Sequence, residues 1–111
     1  MVERNVKMGE MIRQQLGEII IEEVELPMGS IVTVTKLDLS PDFKNARAYI
    51  SVVPDEFAKK VMGTLILKVK SIQNILVHKI NMRVVPRIKF FLDEIEQEAM
   101  ELDRLLDNLN K

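Results

Sequence analysis

Apolar side chains recur at intervals of three and four residues near the start of the chain. Positions at this spacing share one face of an α-helix, because each residue advances the helix by about 100°. The recurring residues are Met8, Met11, Ile12, Leu16, Ile19 and Ile20. Pro27 and Gly29 follow them, and a proline cannot continue the hydrogen-bond ladder of a helix. The pattern therefore predicts an amphipathic helix over about residues 4–24.

Residues 31–53 show the patterns of two β-strands. β-Branched side chains dominate residues 31–39. Apolar and polar residues alternate over residues 45–53, as in a strand that covers a core with one face. Between the two, Ser40, Pro41 and Asp42 supply turn chemistry, since proline presets φ and an aspartate can bond the nearby backbone. We therefore expect an antiparallel hairpin.

A longer helical stripe begins after Pro54, where two acidic residues suit the positive end of a helix dipole. Its apolar residues step by three or four positions and fall on one side of the helical wheel. They are Val61, Leu65, Val69, Ile72, Leu76 and Ile80. The stripe is unbroken, which predicts one long helix with these side chains facing the core.

Two further elements complete the pattern. A third strand is predicted over residues 82–92, and Pro86 inside it favours an edge position or a bulge. An acidic helix is predicted over about residues 94–110. Its apolar stripe consists of Ile95, Ala99, Leu102, Leu106 and Leu109. The second and third strands, which are joined through a helical crossover, should be parallel, and the crossover should be right-handed. The fold class is therefore α+β, with helices on one face of a small mixed sheet, in a single domain over residues 1–111.

Charge is unevenly distributed along the chain, although the net charge is only −1. Residues 57–90 contain eight basic side chains and neither aspartate nor glutamate, whereas residues 93–111 carry seven acids against two basic residues. Solvent-facing surfaces normally mix both signs. The acid-free stretch therefore predicts a polyanionic partner such as RNA, and we expect residues 93–111 not to touch that RNA.

The candidate RNA contacts lie on the long helix and the third strand. Cationic and hydrogen-bonding side chains along a helix suit phosphate and sugar contacts, although a lysine-rich solvent face is the plainer interpretation of any one helix. The candidates are Lys60, Lys68, Lys70, Asn74, His78, Lys79, Arg83 and Arg87. Lys70, Asn74 and His78 step by four residues, so the three can follow one RNA backbone.

Alternation on the third strand should place Arg83, Arg87 and Lys89 on one side and extend the basic area. The next candidate surface is the outer face of the hairpin, with Lys36, Lys44 and Arg47. Aromatic residues are few, and most of them are expected in the core. Binding should therefore favour the backbone of a structured RNA over the stacking of many bases.

Few side chains are suited to catalysis. The chain has no cysteine, which excludes disulfides and thiolate metal sites, and His78 is its single histidine. The four glycines are scattered, and no phosphate loop or metal-ligand spacing is present. Asp38 and Asp42 flank the hairpin turn and are interpreted as turn formers. We therefore expect no enzymatic activity, no metal and no cofactor, and no apolar run approaches the roughly 20 residues that span a bilayer.

Several stretches resemble the ribosome-binding factor A family. The hairpin carries the strongest likeness, and the third strand and the last helix continue it in the same order. The matching stretches are residues 31–35 (IVTVT), 39–43 (LSPDF), 46–52 (ARAYISV), 83–90 (RVVPRIKF) and 99–106 (AMELDRLL). The resemblance covers nearly the whole chain, which makes it far more specific than one short motif.

The resemblance implies a type II KH-like fold in the order α-β-β-α-α-β, followed by a C-terminal helix. It implies a cytoplasmic, monomeric, non-enzymatic protein that binds the rRNA of the immature small ribosomal subunit near the decoding-region helix. Such a factor assists late maturation and 5′-end processing, above all in the cold, and leaves with the help of a ribosome-associated GTPase. Two alternatives stay open: a KH-like module for other RNA, and a protein-interaction domain that uses its acidic C-terminal helix.

The sequence departs from the family at one element. Members of the family have a helix that is kinked at an Ala-x-Gly element, which aligns with residues 68–70 of this chain. Neither small residue is present there, since the sequence is Lys68-Val69-Lys70. Together with the unbroken apolar stripe, this departure predicts a straighter helix, in which the two lysines replace the contact of a kinked backbone.

Overall fold

The computed structural model describes residues 2–109 of the chain, with side chains from Val6 onward. The helices of this part are α1 (Val2–Glu23), α2 (Ala58–Leu67), α3 (Val69–Lys79) and α4 (Glu94–Leu109). The strands are β1 (Ile31–Leu39), β2 (Asn45–Val53) and β3 (Arg87–Leu92), and a short 3-10 turn at Asp55–Phe57 leads into α2. The element order expected for a type II KH-like domain is confirmed, with α4 after it. None of the described helices is long and apolar enough to cross a membrane.

The three strands form one sheet in the order β1-β2-β3. β1 and β2 are antiparallel, with Leu39 opposite Ala46 next to the turn. β2 and β3 are parallel, beginning with Asn45 opposite Arg87. The predicted hairpin, the mixed sheet and the parallel pairing of the second and third strands are therefore confirmed. β2 lies in the centre, so both of its neighbours are edge strands.

The hairpin turn is closed by the residues that predicted it. The Phe43 N–H donates to the Ser40 carbonyl at 3.0 Å, and the Ser40 N–H donates to the Asn45 carbonyl at 2.8 Å. The Asp42 carboxylate accepts from the Ser40 hydroxyl at 2.6 Å and from the Lys44 N–H at 3.1 Å. The first of these bonds, helped by the second, lowers the pKa of Asp42. The interpretation of Asp42 as a turn former is confirmed.

Helices α1, α2 and α3 pack against the sheet and against each other, and the core lies between them. The predicted helical stripe is buried in this core at Val61, Leu65, Ile72, Leu76 and Ile80. On α1, the predicted face is buried at Ile12, Leu16, Ile19 and Ile20. Met11 is 39% exposed, so its assignment to that face is wrong. The reason is geometric, because Met11 lies about 100° around the helix from its neighbour Ile12.

The long helix is interrupted at Lys68, so the prediction of a straighter helix is wrong. Lys68 has φ −99° and ψ 8°, which lies outside the α-helical region. The Lys68 N–H still donates to the Thr64 carbonyl, and the Ile72 N–H donates to the Lys68 carbonyl, both at 3.0 Å. The bend allows α2 to pack on β2 and β3 while α3 packs on α1 and β3. Tertiary packing therefore accounts for a kink that no small residue marks.

The third strand begins at Arg87 and not at residue 82, because Pro86 has no N–H to donate to a sheet ladder. The side chain of Gln73 on α3 occupies the outer edge at this point. Its Nε2 donates to the Pro86 carbonyl at 2.8 Å, and its Oε1 accepts from the Ile88 N–H at 2.9 Å. The edge position that Pro86 predicted is confirmed.

Helix α4 is attached to the end of the sheet through polar side chains. Asp93 precedes its first turn, and the Asp93 carboxylate accepts from the Thr35 hydroxyl at 2.7 Å. Gln97 is buried, and its Oε1 accepts from the Val52 N–H at 2.6 Å, beyond the point where β3 ends. Ile95 lies about 200° around the helix from Gln97. The predicted apolar stripe of α4 therefore faces away from the domain, and Ile95 is 82% exposed.

Candidate nucleic-acid interface

The outward side of α3 presents three candidate residues in a row. Lys70, Asn74 and His78 are exposed and four residues apart, so they follow one another along the helix, opposite the buried Ile72 and Leu76. The Nδ1 atom of His78 lies 2.8 Å from the Asn74 carbonyl oxygen. Since a carbonyl only accepts, the imidazole ring donates there. This bond holds the ring along the helix surface beside the other two side chains.

Lys68 adds a second cation at the break between α2 and α3. Its side chain is exposed, and the first turn of α3 contains no acidic residue. The N-terminal N–H groups of a helix carry partial positive charge. Lys68 and Lys70 therefore lie at the end of α3 where an anion is most favoured. We refer to Lys68, Lys70, Asn74 and His78 together as the α3 surface.

Two further candidates flank the α3 surface. Lys60 is exposed on α2. Lys79 lies at the other end of α3, where its Nζ is 3.4 Å from a carboxylate oxygen of Glu22 on α1. Both partners are partly exposed, so solvent screens this ion pair and its contribution to stability is small. The Glu22 carboxylate nevertheless offsets part of the charge that Lys79 would offer to RNA.

Arg83 and Arg87 do not belong to the α3 surface. Arg83 lies in the segment before β3, where it lines a shallow cavity with Met8 and Phe43. The expectation that it shares one side of a strand with Arg87 and Lys89 is wrong, because the strand begins only after Pro86. Arg87 is exposed while Ile88 is buried, which places Arg87 on the side of the sheet opposite the helices. The structure thus divides the eight candidates among three places.

The open side of the sheet brings together residues that sequence reasoning considered separately. Arg47 lies directly opposite Lys89, and Tyr49 lies directly opposite Phe91. The two ring centroids are 5.9 Å apart, and Phe91 is 40% exposed. The expectation that most aromatic rings belong to the core fails for these two. The alternation within each strand was visible in the sequence, but the register that makes these residues neighbours was not.

The described residues contain no group of three or more histidine, aspartate or glutamate side chains that could hold a metal ion. Every buried side-chain nitrogen or oxygen among them has a hydrogen-bond partner. Asp38, the second acid near the turn, lies 3.5 Å from Lys36 on the same strand. The arrangement is therefore one of exposed cations and amides suited to contacts with a polyanion.

Sequence comparison agrees with this picture. A family model described as "Ribosome-binding factor A" matches residues 4–106. A curated relative named ribosome-binding factor A, from Burkholderia lata, is 30% identical over 107 residues, which cover 96% of this chain and 80% of the relative.

Structure comparison shows the same fold. The crystal structure of ribosome-binding factor A from Thermus thermophilus matches with a TM-score of 0.66 and 21% identity, over 79% of this chain and 93% of that chain. A homology model of the Thermus thermophilus factor, fitted into a cryo-electron microscopy map of a complex with the 30S subunit, matches with a TM-score of 0.63 and 24% identity, over 75% and 88% of the two chains. These likenesses confirm the KH-like fold. With the family model matching nearly the whole chain, the protein belongs to the ribosome-binding factor A family.

Proposed function

We propose that the protein binds the small ribosomal subunit through its rRNA and assists late maturation of that subunit, including 5′-end processing, without catalysing a reaction. The observation that carries the proposal is the exposed, acid-free α3 surface. Membership of the ribosome-binding factor A family supports the ribosome as the target. The relative from Thermus thermophilus that was fitted into a map of a 30S complex supports the small subunit.

The α3 surface is suited to the phosphate backbone of RNA. Lysine side chains displace counterions from phosphates, and this release drives binding that depends steeply on salt. Asn74 and His78 can add hydrogen bonds to phosphate or sugar oxygens. The kink at Lys68 places two cations beside the positive end of the α3 dipole, where a phosphate is favoured. Lys60 and Lys79 extend the contact at either end.

The remaining parts of the proposal follow from the family resemblance. The protein acts in the cytoplasm as a monomer and leaves the subunit with the help of a ribosome-associated GTPase. Helix α4 takes no part in the RNA contact, because its exposed acidic side chains would be repelled by phosphates. Arg83 and Arg87 contribute from other parts of the surface than α3.

The test is the double substitution Lys68→Glu with Lys70→Glu. We expect affinity for purified small subunits to fall by at least about tenfold at moderate salt, because two attractive contacts become repulsive. The slope of log affinity against log salt should flatten by about one unit for each lost phosphate contact. Thermal stability should stay nearly unchanged, since both side chains are exposed. Sedimentation with isolated subunits over a salt series measures the affinity and its slope, and thermal unfolding measures the stability.

The control is Lys7→Glu, which reverses one charge, half of the change made in the double variant, on the exposed surface of α1 and outside the α3 surface. We expect it to lower subunit affinity only slightly, through its effect on net charge. A double variant that binds subunits as well as the parent protein would show that the α3 surface is not the rRNA contact.

A second candidate function is protein binding through α4. The observation that favours it is the outward apolar stripe, in which Leu102 is 57% exposed and Leu109 is 81% exposed. Salt separates the two candidates, because binding through several phosphates weakens steeply with salt and an apolar interface does not. Subunit binding that survives high salt but is lost in Leu102→Ser with Leu109→Ser would favour this second function.

A further inference from the structure

One side of the sheet is left open by the packing of the helices. α1, α2 and α3 cover the side that carries Ala46, Ala48 and Ile50. α4 contacts β2 farther along, where Ser51 is buried. Between the hairpin turn and this contact, the open side is solvent-facing. Its principal residues are Arg47 and Tyr49 on β2, and Arg87, Lys89 and Phe91 on β3. We refer to these five residues as the sheet platform.

Cations are concentrated on the platform in a way that costs the sheet stability. Arg47 lies directly opposite Lys89, and like charges in direct cross-strand register repel one another. Arg87 lies two residues before Lys89 on β3, and the rise of a β-strand places the two about 7 Å apart. Asp38 lies opposite Arg47 on the other side, but this acid is already within 3.5 Å of Lys36. The three platform cations therefore lack a matching number of acids.

The platform cations border a shallow concavity. It has a volume of about 440 Å³, and its lining includes the cations Arg47, Arg87 and Lys89, the amide of Asn45 and one acid, Asp38. Repelling cations around a depression favour an anion there, because a bound anion relieves the repulsion that the empty sheet carries. Phosphate oxygens spaced along a chain would satisfy the three side chains at once.

Aromatic rings lie next to the cations. Tyr49 and Phe91 are tilted by 33° relative to each other, with their centroids 5.9 Å apart. The Arg47 guanidinium lies 5.9 Å from the Phe91 centroid, and Lys36 Nζ lies 5.8 Å from the Tyr49 centroid. Phe91 is exposed and Tyr49 is half-buried. Rings that reach solvent beside cations are the arrangement that binds single-stranded nucleic acid, since bases stack on the rings while phosphates meet the cations. An acidic peptide would satisfy the cations but would bring no planar group for the rings.

We propose that the sheet platform binds a single-stranded segment of RNA, with phosphates at Arg47, Arg87 and Lys89 and a base stacked at Phe91 and Tyr49. This inference rests on the proposed function, since it takes rRNA as the partner. The platform and the α3 surface lie on opposite sides of the domain, separated by the sheet and its core. The protein then holds two RNA elements, a structured backbone on α3 and an unpaired segment on the sheet.

The experiment uses the single tyrosine of the chain, Tyr49, as a reporter inside the platform. Fluorotyrosine incorporated into the full-length protein gives one fluorine NMR resonance, and a short oligouridylate serves as the single-stranded probe. We expect the resonance to shift as the oligouridylate binds. The same shift should persist in Lys68→Glu with Lys70→Glu, because the α3 surface is elsewhere. A resonance that does not move while the probe binds overturns the proposal.

Two sets of variants test the cations and the ring of the platform separately. Arg87→Gln with Lys89→Gln should abolish the shift and flatten the salt slope by about two units. Phe91→Ala should weaken the probe by at least about fivefold, as loss of one stacked base does, and Phe91→Tyr should restore binding. Ile21→Ala, an exposed apolar truncation on α1, is the matched control and should leave affinity unchanged. Probe affinity that is the same in parent, Phe91→Ala and Arg87→Gln with Lys89→Gln overturns the proposal.

The experiment distinguishes a failure of the sheet platform proposal from a failure of the proposed function. If polyglutamate shifts the Tyr49 resonance as strongly as oligouridylate, the platform is an acidic-peptide site and the inference is wrong. If the protein fails to bind small subunits but the platform variants still lose oligouridylate, the proposed target is wrong while the RNA platform stands. If subunits bind through α3 and oligouridylate never perturbs Tyr49, only the platform is wrong.

Discussion

Helices α3 and α4 have equally regular apolar stripes, but the stripe of α3 is buried and the stripe of α4 is exposed. On α3, Ile72 and Leu76 are buried and the cationic side meets solvent. On α4, the buried position is the polar Gln97, and the apolar residues face outward. The comparison shows that periodicity establishes which residues share a face of a helix. It does not establish which face meets the rest of the protein.

The largest expected effect compares one truncation on the two helices. Leu76 is completely buried and Leu106 is 48% exposed. Leu76→Ala should lower the free energy of unfolding by about 2–5 kcal/mol, through lost burial and the cavity it leaves. Leu106→Ala should change it by less than about 0.5 kcal/mol. Urea unfolding of both variants measures the difference, and equal losses would mean that α4 packs its apolar stripe in solution.

A smaller effect is expected where α4 touches the sheet. Gln97→Ala removes the acceptor that lies 2.6 Å from the Val52 N–H. A buried N–H left without a partner should cost about 1–3 kcal/mol in the free energy of unfolding. Glu98→Ala, an exposed substitution on the same helix, is the control and should be nearly neutral. If both variants unfold at the same denaturant concentration, Gln97 does not anchor α4.

The smallest effect concerns the pH dependence of the α4 attachment. The hydrogen bond from the Thr35 hydroxyl, with lesser help from the Glu96 N–H, lowers the pKa of Asp93. The native state therefore favours the carboxylate. This contribution to stability is present above the ordinary aspartate pKa of about 3.9 and is lost as the pH falls through the lowered native value.

Asp93→Asn keeps a side chain that caps helices but removes the titrating carboxyl. The parent should be more stable than this variant at neutral pH, and the gap should narrow as the pH falls below about 4. Thermal unfolding at a series of pH values measures the gap. Asp107→Asn, on the exposed end of α4, is the control and should track the parent. A gap that does not change with pH would show that the Thr35 bond does not favour the carboxylate.

The sequence allowed much of the fold to be predicted, because its local patterns are strong. The alternation of residues 45–53 and the Ser40-Pro41-Asp42 turn specify the hairpin through backbone preferences that act over a few residues. The stripe from Val61 to Ile80 identified the core positions correctly. The break at Lys68 could not be predicted from these patterns, because it comes from the different packing partners of α2 and α3 and not from a weak helix former.

The candidate site was only partly predictable. Exposure of the α3 candidates followed from the helical wheel, because residues opposite a buried stripe face solvent. The location predicted for Arg83 was wrong, because the predicted third strand ran through Pro86, whereas β3 begins at Arg87. The platform on the open side of the sheet needed the pairing of β2 with β3, which joins residues about forty positions apart in the chain.

Most of the secondary structure, most of the core and the segregation of charge between residues 57–90 and the C-terminal helix follow from the amino-acid sequence alone. These properties are local or additive, so they can be read along the chain. Tertiary packing, by contrast, sets where α2 ends, which face of α4 meets solvent, and which cations and rings share a surface. Those properties depend on contacts between distant segments, whose register and direction no local pattern specifies.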